Sequence, residues 1–399
     1  MSALADGREP ELLGPLLEQA SSSGRLALDT EFMGEGRYRT LLCLIQLAVS
    51  PHEGVEAIAV LDPLQEDVEL SALAAVLADP QVQIVVHAGR QDIALLRREL
   101  RTEVTNVFDT QVSAGFAGLG AQSSYDSLLA EVLKLKVSKT ASFTRWDQRP
   151  LSPEQVAYAR EDVLHLLELA DALQQRLRDS GRLEWALQEC EPLSRASDER
   201  DLDTIFARLP RVGGLNAGAR SVARELVEWR ERTAERQDRA VQSVLNDAGL
   251  VEVARRHPAD REQLARIRGI GGNAQGRRAQ DLLDAVQRGR ERPPESAPQA
   301  PRAPAPKSED LPLVSLCESL VRARAREAGL AYELLAARAD LQAIVTAARL
   351  GEPRADVRTL RGWRAELVGN ELLELLSGNV ALSVQDGRGG RRLRIDRRP

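Results

Sequence analysis

Residues 25–32 read RLALDTEF, and this stretch decides the fold. It is a short apolar run that follows Gly24, which is typical of a buried strand. The run leads directly into Asp29 and Glu31. Because alternate residues of a strand project to the same face, both carboxylates point to one side of the sheet. Adjacent acids are costly to desolvate unless a cation lies between them, although an Asp-x-Glu pair also occurs by chance on solvated strand edges.

Strands and helices follow one another in the first half of the chain. Three more apolar runs, at 41–49, 56–61 and 82–87, have the composition of strands. Helical periodicity marks residues 91–100 and 124–133, and a long helix is predicted from Ser152 to about Asp179. Several strands followed by alternating strands and helices predict an α/β fold, a mixed sheet flanked by helices, over residues 1–195.

The second half of the chain reads as helix. A polar stretch near 191–202 precedes it, and residues 291–310, rich in Pro and Ala, predict an extended, semi-rigid linker. We therefore expect two all-α helical bundles, at 200–290 and 311–399. The second ends in GRGGRRLRIDRR (387–398), which predicts either a basic phosphate-binding tail or a frayed end.

Composition excludes several classes of protein. The 399 residues carry 54 Lys and Arg against 60 Asp and Glu, and the acidic excess lies before residue 200. No apolar run reaches the roughly 18 residues that span a bilayer, and the polar start differs from a signal peptide. The three cysteines are far apart, which argues against a disulfide scaffold or a zinc ribbon. We expect a soluble cytoplasmic protein without a membrane partner or an obligate protein partner.

Two further segments carry acids in suggestive places. Asp92 lies at the start of a predicted helix after the strand that ends at His87, a position that the helix dipole also favours for any acid. Tyr158 and Asp162 are four residues apart, so they lie on one face of the long helix. Asp162 is beside the packing face, where an acid is costly unless it is paired. Each signal is weak alone, but together they give four carboxylates and one phenol.

In this order the motifs resemble the DEDD superfamily of 3′–5′ exonucleases, in the branch that has tyrosine in the third motif. Residues 20–190 are similar to the ribonuclease D family, through LALDTEF, LCLIQLA, VVHAGRQD, FDTQVSAGF, SYDSLL and RWDQRPLSPEQVAYAREDVLHL. The resemblance implies a ribonuclease H-like sheet. The two rear bundles resemble HRDC domains, the second more weakly than the first.

The resemblance also implies a mechanism. Members of this superfamily use two divalent ions, Mg²⁺ or Mn²⁺, which prefer hard oxygen ligands. By analogy Asp29 bridges both ions, Glu31 and Asp162 complete one site, and Asp92 holds the other largely through water. Tyr158 would orient the attacking water, which one ion activates while the pair stabilises the scissile phosphate. The expected product is a nucleoside 5′-monophosphate.

Further residues are candidates for nucleic-acid binding. Phe32 is expected to stack beside the terminal base, although a core position is at least as consistent with the sequence. A polar stretch before the long helix is predicted to hold phosphates near the scissile bond, or else to be a plain surface loop. In the first bundle a glycine turn is expected either to hold a phosphate or simply to connect helices. The candidates in these two segments are Lys139, Arg145, Trp146, Arg149, Arg266 and Arg268.

The expected substrate is RNA, with precursor tRNA or other structured 3′ ends favoured by analogy. Two alternatives stay open at this point. The first is a 3′–5′ exonuclease that acts on single-stranded DNA, because no residue is identified that reads a 2′-hydroxyl group. The second is a non-catalytic nucleic-acid-binding scaffold, which the presence of all four carboxylates and Tyr158 disfavours.

Overall fold

The computed structural model describes residues 9–51, 57–65, 70–136, 145–270, 276–298, 307–352, 354–387 and 390–397. Residues 9–195 form the front unit, residues 202–291 a first helical unit, and residues 308–397 a C-terminal unit. Among the described residues, no helix combines the length and the apolar character that crossing a membrane requires.

A five-stranded mixed sheet organises the front unit. Its strands are β1 (Arg25–Met33), β2 (Leu41–Ala48), β3 (Ile58–Leu61), β4 (Gln83–Val86) and β5 (Val107–Asp109). Their order is β3-β2-β1-β4-β5, with β2 antiparallel to β1 and β3, and with β1, β4 and β5 parallel. The predicted mixed sheet is therefore confirmed, and the strand that carries Asp29 lies at its centre.

Helices cover both faces of this sheet. They are α1 (Glu9–Ser23), α2 (Ser71–Ala78), α3 (Arg90–Leu100), α4 (Thr110–Phe116), α5 (Tyr125–Leu128), α6 (Pro153–Leu164), α7 (Leu166–Asp179) and α8 (Leu183–Cys190). Leu26 and Leu28 of β1 pack in one core with α1, α2 and α3. Ala27 of β1 packs in another with Val163 and Leu166, on the face that α6 and α7 cover. Asp29 and Glu31 share the face of Ala27 because their positions alternate with those of Leu26 and Leu28.

The long helix predicted over 152–179 is two helices. Ser152 caps α6 in a capping box with Gln155, and Pro153 occupies the first turn, as expected from the sequence. However, α6 ends at Leu164 and α7 begins at Leu166, with His165 between them at φ −110° and ψ 10°. The break separates the helix that bears Tyr158 and Asp162 from the helix that mainly builds the core.

The first helical unit has a core of its own. Its helices are α9 (Leu202–Arg208), α10 (Ala217–Arg236), α11 (Val241–Val244), α12 (Asp247–Arg256), α13 (Arg261–Ala265) and α14 (Gly276–Glu291). Helices α10 and α14 pack closely along their length. At Gly289 a Cβ atom would lie 2.6 Å from the Cα atom of Val222, so this contact requires glycine.

The first helical unit is attached to the turn between β1 and β2. Arg37 Nη1 donates to Asp238 Oδ2 at 2.6 Å, and the Tyr38 backbone N–H donates to Asp238 Oδ1 at 3.2 Å. The Ala240 N–H donates to the Gly36 carbonyl at 2.9 Å, and Tyr38 packs against the core of the helical unit. The turn that follows the central strand is therefore held from outside the front unit.

The beginning of the predicted linker is attached to α10. Ser221 Oγ donates to the Pro293 carbonyl at 2.8 Å and accepts from the Glu295 N–H at 2.9 Å. Arg220 Nε donates to the Glu295 carbonyl at 2.9 Å. Helix α14 also extends to Glu291, so these first residues do not form a free spacer. Residues 299–306 of the linker lie outside the described residues.

The C-terminal unit differs from the expected all-α bundle. Its helices are α15 (Leu311–Ala328), α16 (Tyr332–Leu335), α17 (Arg338–Leu350), α18 (Gly362–Arg364) and α19 (Asn370–Leu376). Strands β6 (Val380–Gly387) and β7 (Gly390–Arg397) then form an antiparallel hairpin, so the segment predicted as a basic phosphate-binding tail or a frayed end is instead largely a paired strand. The register pairs Leu382 with Ile395, and both pack against the core of the unit, which explains why this Arg-rich segment is ordered as strands.

This unit shares a core with the front unit. Trp363 stacks on Trp185 with ring centroids 5.1 Å apart and an interplanar angle of 12°, and it meets Phe116 edge-on at 5.3 Å. Arg364 Nη1 donates to Glu189 Oε1 at 2.6 Å. One cluster of buried residues therefore runs from α4, α7 and α8 into α15, α17 and α19.

Candidate active site

The four predicted carboxylates come from three elements. Asp29 and Glu31 lie on β1, Asp92 lies in the first turn of α3, and Asp162 lies on α6, which packs across β1, β2 and β3. The β1–β2 register shifts between Glu31 and Phe32, so the strand bends directly after the second acid. Asp92 is buried, whereas the other three side chains are half-buried.

These acids influence one another electrostatically. Burial raises the pKa of Asp29 well above its usual range, and Asp92, Asp162 and Glu31 raise it further. Burial, followed by Asp162 and Asp92, raises the pKa of Glu31 to about 8. Such mutual shifts require short distances between the groups. In the part of the chain that the structure describes, no Lys, Arg or His side chain is identified as lowering the pKa of either acid.

Asp92 and Asp162 each accept hydrogen bonds from neutral donors. Thr30 Oγ1 donates to Asp92 Oδ1, which partly offsets the effect of burial on a pKa that remains raised. The Tyr158 hydroxyl donates to Asp162, whose pKa burial and the nearby Asp126 raise to about 7. These donors fix the directions of the two carboxylates without neutralising their charge.

The turn that presents Asp92 is held by a residue that the sequence analysis did not single out. Asp109, at the end of β5, accepts from the Ala88 N–H at 3.1 Å and from the Gly89 N–H at 2.9 Å, directly before α3. At Gly89 a Cβ atom would lie 2.5 Å from the Val86 side chain, so the turn requires glycine there. The signal in the sequence is Asp109-Thr110, an N-capping acid after an apolar strand.

Four carboxylates offer the hard oxygen ligands that Mg²⁺ and Mn²⁺ prefer. Among the described residues, no three His, Cys, Asp or Glu side chains already lie close enough together to hold an ion. Burial raises the pKa of Asp29, Glu31 and Asp162, and neighbouring acids raise each pKa further, an effect that a divalent cation would offset. The donor set and its charge therefore fit divalent ions, and the side chains would need to draw together around them.

Tyr158 lies at the edge of this group. It is half-buried, and its ring packs at 6.1 Å from that of Trp146. Burial and the charges of Asp162, Glu31 and Asp29 raise the pKa of its phenol further above the usual value. The hydroxyl therefore stays protonated at neutral pH and can donate a hydrogen bond, but it cannot serve as a general base.

The residues predicted to hold nucleic acid are dispersed. Phe32 is half-buried on β1, beside the bend. Trp146 is only 6% exposed and packs with Leu44, Val60 and Ala159, which leaves no ring face for a base. The expectation that Trp146 lies in a surface segment that binds nucleic acid is therefore corrected. The polar sequence around it gives no sign that the sheet provides apolar residues against which its ring packs.

The arginines of this segment divide into two groups. Arg149 Nη2 donates to Asp62 Oδ1 at 2.6 Å and to the Cys43 carbonyl at 3.0 Å, so it is occupied in a structural ion pair rather than presented to a phosphate. Arg145 is exposed and forms a two-pronged pair with Asp147, with both contacts at 2.9 Å. Lys139 lies outside the described residues.

The glycine turn of the first helical unit is partly described. Arg266 and Arg268 are exposed, and Arg266 pairs with Glu262. The Gly269 carbonyl accepts from Asn246 Nδ2 at 2.8 Å, and Gly269 has φ +90°, which favours glycine. Residues 271–275, which precede α14, lie outside the described residues. These two arginines do not join the acidic site through any contact that the structure records.

Comparisons with known proteins agree with this geometry. A family model described as a 3′-5′ exonuclease matches residues 8–178, and an HRDC domain model matches residues 219–286. Ribonuclease D of Acidiphilium cryptum is 34% identical over 387 residues, covering 96% of this chain and 95% of the relative. Ribonuclease D of Granulibacter bethesdensis is 37% identical over 367 residues, covering 91% and 90%.

A solved structure extends the comparison to the whole fold. Escherichia coli RNase D, described as an exoribonuclease involved in structured RNA processing, superposes with a TM-score of 0.75 and 27% identity, covering 92% of this chain and 96% of that one. The likeness covers most of both chains and therefore includes helical regions as well as the sheet. On these grounds the chain belongs to the ribonuclease D family of 3′–5′ exoribonucleases.

Proposed function

We propose that this enzyme removes nucleotides one at a time from RNA 3′ ends in a reaction that depends on two divalent cations and releases nucleoside 5′-monophosphates. The observation that supports the proposal is the placement of Asp29 and Glu31 on one face of the central strand, with Asp92 at the start of α3 and Asp162 on α6, which packs across that strand. Precursor tRNA, or another RNA with a structured body and a short single-stranded 3′ end, is the proposed substrate. Residues 1–195 are the proposed catalytic domain.

In the proposed mechanism the four carboxylates hold Mg²⁺ or Mn²⁺. When bound, such ions activate a water molecule and stabilise negative charge on the scissile phosphate. Asp29, on the central strand β1, would hold metal together with the other three acids. Tyr158 stays protonated and would direct a lone pair of the attacking water by hydrogen bonding. Thr30 and Asp109 would hold Asp92 and the turn before it in place during the reaction.

The helical units are proposed to bind the body of the RNA. A groove of about 690 Å³ between α10 and α14 is lined by Trp229, Arg232, Thr233, Arg236, Gln237, Arg277, Asp281, Asp284 and Arg288. Arg236 and Arg277 form no ion pair within the part of the chain that the structure describes. Side chains of this kind contribute binding free energy by displacing counterions from phosphates. The domain bounds proposed for these units are 200–290 and 311–399, joined by the linker 291–310.

The cysteines bear on where the enzyme acts. Cys43, Cys190 and Cys317 are buried and unpaired, and burial raises the pKa of each thiol. Buried protonated thiols of this kind suit a reducing compartment. We therefore propose that the enzyme acts in the cytoplasm.

A matched pair of RNA and DNA oligonucleotides with identical sequence and a 3′ overhang tests the proposal. Each is incubated with the full-length protein in Mg²⁺, in Mn²⁺ or in EDTA, and the products are separated at single-nucleotide resolution. We expect stepwise loss of 5′-mononucleotides from the 3′ end of the RNA, only when a divalent cation is present. Preferential degradation of the DNA, or hydrolysis in EDTA, would contradict the proposal.

A further inference from the structure

Gln46 is the polar residue of β2 for which the sequence offers no role. Its side chain is fully buried, at 0% exposure. Neither its Nε2 nor its Oε1 atom has a hydrogen-bond partner among the described residues. Burying an amide without partners costs free energy, and native proteins pair the great majority of such groups. The position therefore needs an explanation that packing alone does not supply.

The strand register limits what this amide can reach. Gln46 is directly opposite Asp29 on one side and Val60 on the other. Opposite residues of an antiparallel ladder project to the same face, with Cβ atoms about 4.5–5.5 Å apart. Its neighbours along the strand on that face are Leu44 and Ala48, which are apolar. Asp29 is thus the polar side chain directly opposite Gln46, and Glu31, opposite Leu44, is the next polar side chain on that face.

Helix α6 covers the face of the sheet to which the Gln46 side chain projects. Leu44 and Val60, on either side of Gln46, pack with Ala159 and Trp146 in one apolar cluster. The side chain of Val60 is directly opposite the amide on the side of β3, and the carboxylate of Asp29 is directly opposite it on the side of β1. A glutamine in that setting can donate to an ionised carboxylate across the ladder, and such charge-assisted hydrogen bonds are among the stronger ones.

We infer that Gln46 is a positioning residue, whose Nε2 group donates to the Asp29 carboxylate and turns both of its oxygens towards the divalent cations. The inference rests on the proposed function, because the hydrogen bond is made when Asp29 is ionised to ligate metal. A partner that orients a metal-binding side chain raises metal affinity and activity by about 10- to 100-fold in characterised sites.

The test compares Gln46→Met, which keeps the length of the side chain and removes the amide, with Gln174→Met. Gln174 Nε2 donates to Gln83 Oε1 at 2.9 Å in the same domain, on a buried side chain remote from the acids. Mn²⁺ binding to the full-length protein without RNA is measured by calorimetry. Thermal unfolding with and without Mn²⁺, and kcat and KM on the RNA oligonucleotide, complete the readouts.

For Gln46→Met we expect Mn²⁺ affinity and kcat to fall by about 10- to 100-fold, with KM for RNA unchanged. Its melting temperature without metal should not fall, because an unpaired amide is removed. For Gln174→Met we expect the opposite pattern, with a lower melting temperature and unchanged Mn²⁺ affinity and kcat. Gln46→Asn has a side chain one methylene shorter, so its amide should not reach Asp29 and its Mn²⁺ affinity should fall in the same way. This variant serves as the test if Gln46→Met does not fold.

Two outcomes separate this inference from the function on which it rests. If the unaltered protein binds Mn²⁺ and the Gln46 variants bind it equally well, the inference is overturned and the proposed function stands. If the unaltered protein neither binds Mn²⁺ nor requires a divalent cation for turnover, the proposed function fails and the inference fails with it.

Discussion

Arg149 and Asp62 form a two-pronged ion pair that ties the segment before α6 to the end of β3. Arg149 Nε and Nη2 donate to the two oxygens of Asp62, which is only 3% exposed. Arg149 Nη1 also donates to the Trp146 carbonyl at 2.7 Å. The pair therefore fixes the approach to the helix that carries Tyr158 and Asp162.

This pairing leads to a prediction about stability. Arg149→Met should lower the free energy of unfolding by about 3–5 kcal/mol, because it leaves the Asp62 carboxylate buried without its partner. Urea unfolding measures the change. Arg145→Met is the matched control, since Arg145 is exposed, and it should change stability by less than about 0.5 kcal/mol. If Arg149→Met instead binds RNA more weakly and its stability is unchanged, Arg149 contacts nucleic acid, as the sequence suggested.

A second prediction concerns Trp363. Trp363→Ala should destabilise the protein by about 3–5 kcal/mol, because its ring lies between Trp185 and Phe116 of the front unit. The temperature at which exonuclease activity is lost should fall with it. Trp229→Ala removes a buried tryptophan from the core of the first helical unit and should leave that inactivation temperature nearly unchanged. Equal effects of the two variants would contradict the shared core.

A third prediction follows from the raised pKa values. Burial and neighbouring acids raise the pKa of Glu31 from 4.5 in a free side chain to about 8. The folded chain then binds more protons than the unfolded chain, so the stability of the metal-free protein falls as pH rises from about 4.5 towards 8. Divalent cations compete with those protons, so the increase in melting temperature caused by Mn²⁺ should be larger at about pH 9 than at about pH 6. A shift in melting temperature that is independent of pH would contradict this.

The fourth prediction is for Asp29→Asn. Turnover should fall by about 10³-fold or more, the scale on which removing a central member disables a catalytic unit. The metal-free protein should unfold at the same or a higher temperature, because one of four mutually repelling acids becomes neutral. RNA binding, measured by filter retention in EDTA, should be nearly intact. Residual hydrolysis close to that of the unaltered enzyme would count strongly against the site.

The fifth prediction is for Tyr158→Phe. Turnover should fall by about 10²-fold because the hydrogen bond that directs the water is lost, while the ring keeps its contact with Trp146. Thermal unfolding should change little, since the hydroxyl is half-exposed. Single-turnover kinetics at saturating Mn²⁺ provide the measurement. An unchanged rate would remove Tyr158 from the mechanism.

Much of the front unit could be predicted from local pattern. The strand at 25–33 begins with a continuous apolar run, and Ser152-Pro153 marks the start of α6. Asp92 is recognisable at the start of a helix, and Asp162 on a helix beside its packing face. Asp29 and Glu31 are recognisable because they follow an apolar run within one strand. Their convergence depends on the strand order, which the sequence suggested only through the family resemblance.

What could not be predicted depended on contacts distant in sequence. Trp146 and Arg149 lie in a polar segment. Trp146 nevertheless packs against Val60 of β3, and Arg149 pairs with Asp62, which directly follows that strand. The break at His165 has no glycine or proline to announce it. The sequence did not predict the C-terminal hairpin because half of the residues of its second strand are arginines. Its apolar contact with the core includes Leu382 and Ile395, which lie opposite each other.

The continuous core between the front and C-terminal units has a consequence for how the chain can be divided. The helices around Trp229 have a core whose buried residues all lie within that unit, so the unit can be exchanged between relatives provided that Tyr38, which packs against it, stays covered. The last ninety or so residues cannot, since removing them uncovers Phe116 and Trp185. In folding terms the protein is two cooperative blocks, one of which is assembled from the two ends of the chain.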